Sequence, residues 1–261
     1  MPTPQLLDTL PIAALFVAFA LIMLVCYEGG FRVGRWWQDR TPGEQEGPTN
    51  MLVGSILALL AFLLAVTMGM AADRFDARRA VVLAEANAIE TTYLRAGYLP
   101  EPAASNSREL LREYAPLRMV ITDATDLEGD IKASIAIQQQ LWAIAEDQAR
   151  TTDQGDLVAL YIESLNETIE LHESRVTARN SRVPETVVLL LVGGSALSLA
   201  MVGFSAGLTK RRSLLSAAVL IIALGAVITI VIDLDRPREG FIQVSQQPLI
   251  DLQQLIGPPL P

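Results

Sequence analysis

The side chains able to do chemistry are few, and they gather beside long apolar runs. Asp73, Arg74, Asp76, Arg78 and Arg79 follow one run, and Asp233, Asp235, Arg236 and Arg238 follow another. On a helix Asp76 and Arg79 stand three apart and Arg74 and Arg78 four apart, so each couple shares a face. Two readings compete for the first cluster. As a surface anchor its ion pairs are worth under ~1 kcal/mol each. As a ring around a pore mouth its arginines would concentrate anions, with the neighbouring acids tempering that preference. The second cluster is expected at the same interface as the first, within reach of pairing with it.

Catalytic patterns are missing. His172 is the single histidine, so HExxH is ruled out, and a bundle-helix position is expected for it. Cys26, the single cysteine, sits in an apolar run as a buried thiol and cannot close an intrachain disulfide. Neither a P-loop nor GxGxxG occurs. Asn166-Glu-Thr168 fits a short glycosylation sequon, and Glu85 and Glu90 are too far apart to work as paired carboxylates. The expectation is no enzyme, no cofactor and no metal. The apolar runs carry no charge, which argues against a proton relay or coupled transporter.

These clusters are positioned by the apolar runs themselves. Leu10 to Cys26, Met51 to Ala72, Val187 to Leu208 and Leu214 to Ile232 are uncharged and near the ~20 residues a spanning helix needs. Backbone in hydrocarbon must satisfy its own hydrogen bonds, so all four are helices. The retained first run has no Lys or Arg before it, unlike a cleavable signal peptide. Composition agrees: 51% of residues are hydrophobic but only 6% aromatic. The 261-residue chain carries a net charge of −9, and Asp73 to Val183 holds 19 acidic against 12 basic residues. So acidic a segment argues against nucleic acid as partner, and the expected partner is the lipid bilayer.

The expected fold class is all-α, an integral membrane protein with four transmembrane helices and an extramembrane helical bundle between spans two and three. Its parts are 1–72 (spans one and two), 73–183 (bundle), 184–232 (span three–four hairpin) and 233–261 (tail, unassigned). Asp73 to Ala96 lacks Gly and Pro, so span two should continue as one helix to about Arg95. Tyr27 to Asn50 reads as a mixed loop with an interfacial Arg and Trp anchor, irregular over Thr41 to Thr49. Three amphipathic helices follow. Ser107 to Val120 turns Leu110, Leu111, Tyr114 and Leu117 to one face, with a bend at Pro116. Asp130 to Arg150 aligns Ile131, Ile135, Trp142, Ala145 and Ala149. Asp156 to Arg179 aligns Leu157, Leu160, Leu165, Ile169 and Val176.

Small residues recur along span two (Gly54, Ala58, Ala61, Ala65, Gly69, Ala72) and span three (Gly193, Ala196, Ala200, Gly203, Gly207), the spacing that lets helix backbones approach. Packing within one subunit is one reading; the other is a homo-oligomer with span two at its axis. On the second reading the pore-lining candidates are Ser55, Ala58, Phe62, Ala65, Thr67 and Gly69. Arg32, Arg35 and Arg40 with Lys210, Arg211 and Arg212 put positive charge on the short loops. By the positive-inside rule these face the cytoplasm, with the large segment outside.

Two stretches carry a resemblance. Ala71-Ala-Asp-Arg-Phe-Asp-Ala-Arg-Arg79 is followed by Glu85-Ala-Asn-Ala-Ile89 and Thr92-Tyr-Leu-Arg-Ala96. Asp233-Leu-Asp-Arg-Pro-Arg238 is followed by Gly240-Phe-Ile and Val244-Ser-Gln-Gln-Pro248. Together they resemble the bacterial bestrophin-like domain family of integral membrane proteins. The resemblance implies kinship with bestrophins, oligomeric anion channels whose second membrane helix lines the pore. It also implies a cytoplasmic position for the large helical part, opposite to the charge rule. The expected function is thus an oligomeric channel for small anions. The alternative is a non-conducting, membrane-anchored helical sensor or scaffold.

Overall fold

The computed structural model describes residues 10–41, 46–119, 127–151, 153–236 and 240–258. Among them there is no strand. Among the described residues the helices are α1 (Ile12–Arg40), α2 (Glu46–Arg95), α3 (Ala103–Arg118), α4 (Leu127–Thr151), α5 (Gly155–Asn180), α6 (Glu185–Leu208), α7 (Leu214–Asp235) and α8 (Gln247–Ile256), with a 3-10 turn at Ala96–Tyr98. Four helices among the described residues are long and apolar enough to cross a membrane. Two compact units form: Met1–Phe75 with Ser181–Gln243, and Asp76–Asn180 with Val244–Pro261. The expected continuation of span two is present: α2 is one helix of 50 residues, ~75 Å at 1.5 Å per residue, and it contributes to both units.

The first unit holds α1, the start of α2, α6 and α7. Its core joins Phe19, Met23 and Tyr27 of α1 to Leu60 and Leu64 of α2, Leu191 and Leu199 of α6, and Ile221 and Ile228 of α7. α1 corrects the expected boundary at Cys26, because the supposed loop continues as helix to Arg40. The glycines that read as breakers are contacts instead. A Cβ at Gly30 would run into the Ala200 carbonyl and one at Gly34 into that of Phe204. Gly203 and Gly207 of α6 lie equally close to the Tyr27 and Phe31 carbonyls. The two helices run parallel with backbones touching, and this seam returns what glycine costs in helix propensity. The stretch expected to be irregular is corrected from Glu46 onward, where α2 starts with Pro48 in its first turn, while its residues 42–45 lie outside the described residues.

The second unit packs the later turns of α2 with α3, α4, α5 and α8 around Ile89, Leu111, Tyr114, Leu141, Tyr161, Leu165 and Leu249. α3 presents Leu111 and Tyr114 as expected, and Pro116 falls in its last turn. The expected stripes on α4 and α5 are rotated. α4 buries Ser134, Ile137, Gln138, Leu141 and Ala145, and Ile135 is exposed. α5 buries Val158, Tyr161, Ser164, Leu165, Thr168 and His172, and Leu157 and Leu160 are exposed. Polar side chains inside the unit, among them Gln138 paired with Tyr114 and Thr168 paired with Thr92, shifted the buried face away from the most apolar line. The tail left unassigned supplies α8, which sinks Leu249, Leu252 and Ile256 into this core.

Candidate functional site

The buried phase of α2 in the first unit is Leu60, Leu64, Thr67 and Ala71, one residue per helical turn. Thr67 spends its hydroxyl on the Leu63 carbonyl at 2.7 Å and is 3% exposed, so it faces the subunit interior, unlike the other candidates. Ser55, Ala58, Phe62, Ala65 and Gly69 fall on the opposite phase and are all exposed in the single chain. Phe62, at 64% exposure, is the one bulky member of this stripe. Nothing of the chain would meet a Cβ built on Gly54 or Gly69. Ser55 donates to the Met51 carbonyl at 3.0 Å, which leaves the hydroxyl oxygen open as an acceptor.

On the turns that follow, Asp73, Asp76 and Arg79 are exposed, Arg74 is half-buried with a long contact to the Met70 carbonyl (3.5 Å), and Arg78 is buried. At the end of α7 the charges hold backbone. Asp233 accepts the N–H groups of Phe241 and Ile242, both at 3.0 Å, and fixes the turn at Gly240. Asp235 accepts the Val183 N–H at 2.7 Å, and Arg236 donates to the Leu10 carbonyl at 2.9 Å. Arg238 lies outside the described residues. The structure thus brings five span-two candidates onto one face and gives Asp233, Asp235 and Arg236 backbone to hold.

Sequence reasoning missed a polar centre in the second unit. Glu85 of α2, fully buried, receives Arg118 of α3 at 2.6 Å and also Arg175 of α5. Arg175 reaches on to Gln246 at 2.9 Å, and Arg118 reaches Ser134 at 3.4 Å. Beside it Gln138 donates to the Tyr114 hydroxyl (3.0 Å), which lies 3.4 Å from His172 Nδ1. Burial pushes the Tyr114 phenol up to about 12. Burial, and then the Arg118 charge, hold His172 below its ordinary value, while Glu85 and Glu173 pull the other way. One signal for this centre was legible: Glu85 stands in the apolar phase of Val82, Ala86 and Ile89, where an unpaired carboxylate is not tolerated. No metal-ligand cluster occurs among the described residues.

Comparison with known proteins finds this architecture elsewhere. A bacterial bestrophin homologue from Klebsiella pneumoniae superposes with a TM-score of 0.65 at 13% identity, covering 95% of this chain and 99% of that one. A mutated form of that homologue gives 0.66 at 15% identity, covering 94% and 97%. The crystal structure of a membrane protein gives 0.65 at 13%, covering 94% and 98%. Identities this low speak to the fold alone. No curated protein matches the chain. The family model of the Bestrophin-like domain matches residues 14–249, from the second residue pair of α1 into α8, and on that span the chain belongs to the Bestrophin-like domain family.

Proposed function

We propose that this protein is an oligomeric membrane channel for small anions, with the exposed face of α2 turned toward the axis. The observation that carries the reading is the phase of that face: Ser55, Ala58, Phe62, Ala65 and Gly69 share it, and only Thr67 of the candidates turns inward. Lipid offers no driving force between apolar helices, so a small-residue face is best used where backbones must come close. Copies of α2 around an axis would leave an uncharged path whose widest side chain is Phe62, an apolar constriction of the kind that gates by dewetting. Arg74 and Arg79, on the turns that follow, would raise the local anion concentration, with Asp73 and Asp76 moderating it. Arg78, Asp233, Asp235 and Arg236 would position this region. Family membership supports the reading, because bestrophins conduct anions in this manner.

The test is halide efflux from liposomes holding the purified protein, with protein-free liposomes as blank. Phe62→Ala should raise flux, Ala58→Trp should block it, and Arg74→Gln with Arg79→Gln should lower the anion-to-cation ratio. Absence of flux from folded oligomer, in the wild type and in Phe62→Ala alike, would sink the channel reading in favour of a sensor or scaffold. One observation favours that second reading: the converging polar groups around Glu85. They satisfy each other, however, and leave a ligand no free carboxylate.

Orientation enters the proposal through two opposed arguments. Loop charge puts the second unit outside the cytoplasm, and kinship with bestrophins puts it inside. Impermeant maleimide on intact cells separates them, using Gln154→Cys and Ser213→Cys in a Cys26→Ser background. Labelling at 154 alone supports the charge rule; labelling at 213 alone supports the bestrophin arrangement.

A further inference from the structure

We infer that the last turns of α1 and the turn between α6 and α7 form a binding surface for the headgroups of anionic phospholipids. Twenty residues of helix from Ile12 bring α1 to Arg32, ~30 Å along its axis and so across the hydrocarbon. Arg32 to Arg40 therefore stand at headgroup depth. The α1–α6 seam fixes the turn at the same level, because Gly207 abuts the Phe31 carbonyl. Two further clips hold it there. Lys210, at φ 56, reaches Asp39 at 2.6 Å. Arg212 reaches Glu28 at 2.9 Å and lies 4.7 Å from the centre of the Phe31 ring.

Charge at this end does not balance. Glu28 serves both Arg32 and Arg212 through one oxygen, and Asp39 is taken by Lys210. Arg35, Arg40 and Arg211 are exposed and have no ion pair among the described residues. By sequence alone, residues 28–46 and 210–212 together hold six basic and four acidic side chains. Arg40 lies over the Trp36 ring, 4.0 Å from its centroid, which engages the guanidinium face and leaves its in-plane donors free. Trp36 and Trp37 are 50% and 41% exposed, the half-buried state that suits indoles at the water–lipid boundary.

This chemistry selects its partner. Guanidinium forks match phosphate oxygens two at a time. Unbalanced cations favour a phosphodiester without a compensating amine, and exposed indoles require acyl chains alongside. Phosphatidylglycerol meets all three conditions, whereas phosphatidylcholine carries its own positive charge.

The experiment titrates short-chain phosphatidylglycerol or phosphatidylcholine onto the full-length protein in uncharged detergent and reads bound lipid by native mass spectrometry. The wild type should prefer phosphatidylglycerol, and Arg35→Gln with Arg211→Gln should weaken its binding by about fivefold for each arginine removed. Arg35→Lys with Arg211→Lys should keep part of the preference, and Arg150→Gln, an exposed arginine of α4, should keep all of it. Melting without lipid verifies that the variants fold. Equal binding of the two lipids by the wild type, or an unchanged preference in the double Gln variant, overturns the inference. So does displacement of phosphatidylglycerol by equimolar inorganic phosphate, which would make the site one for free anions.

Discussion

Where α1 meets α6 the contact is backbone against backbone, through Gly30, Gly34, Gly203 and Gly207. Where α2 meets α3 and α5 in the second unit, a buried carboxylate draws two guanidiniums inward. One chain thus uses two kinds of cohesion. In lipid the surroundings are as apolar as the helices, so burying more Leu contributes little and close approach is what remains. In water burial itself drives association, and the second unit has enough apolar surface to carry a polar centre inside it. In the first unit the pairs Lys210–Asp39 and Arg212–Glu28 stand at the rim, with side chains 28–55% exposed, and contribute little. Position, more than residue type, decides what a charge does here.

The largest expected effect tests the backbone seam. Gly34→Leu drives a side chain into the Phe204 carbonyl, where neither helix can yield without parting. The expected outcome is loss of monodisperse protein on size-exclusion chromatography in detergent. Gly29→Leu is the matched control on the same helix, because nothing lies within 4 Å of its added Cβ. If Gly34→Leu folds as well as Gly29→Leu, the first unit is not held by backbone approach.

Next comes the buried centre. Glu85→Ala leaves Arg118 and Arg175 facing each other without their carboxylate, which should cost ~3–5 kcal/mol. Hydrogen exchange at α3 and α5 amides reads the loss in this unit directly. Replacing Glu85, Arg118 and Arg175 together by Met should recover much of it, since removing a whole buried ionic group is often neutral. A triple variant as unstable as Glu85→Ala would mean that the ions contribute net stability here. For α8, Leu249→Ala should cost ~2–5 kcal/mol, toward the lower end because the helix is short and can shift. Faster exchange confined to α8 would show that it docks as a separate piece.

The same contrast explains what was legible beforehand. Spans are read from long uncharged runs, and the continuity of α2 from the lack of Gly and Pro between Asp73 and Ala96, so both were accessible. α1 beyond Cys26 was not, because Gly29, Gly30, Gly34 and the charges around them look like a loop until α6 is laid against them. The faces of α4 and α5 were hidden by their polar members. Ser134, Gln138, Thr168 and His172 are buried by partners on other helices, and periodicity cannot see a partner. The span-two stripe was visible as small-residue spacing, yet its phase was not, since Thr67 and Ser55 are both small hydroxyl residues and only their neighbours set them on opposite faces. Glu85 failed for the reason that makes it informative: a carboxylate at a core position implies cations that sequence distance, here 33 and 90 residues, conceals.

The smallest effect concerns pH and separates the two units by what they titrate. His172 is 1% exposed, and its folded-state value lies below the ordinary 6.5 through burial and the Arg118 charge. Four charged groups act on it: Arg118 from α3, Glu85 from α2, and Glu173 and Arg175 from α5 itself. A lowered value in the folded state means that the unfolded chain binds the proton more readily. Stability is then complete above 6.5 and declines as pH falls from 6.5 toward the folded value, by at most ~1.4 kcal/mol per pH unit. His172→Gln keeps a hydrogen-bonding group for the Tyr114 hydroxyl and removes the titration. Exchange protection of α5 should therefore fall between pH 7 and 5 in the wild type and fall less in the variant, while α1 and α6 amides respond alike in both. Parallel declines in α5 for the two proteins would assign the acid sensitivity to carboxylates instead of the histidine.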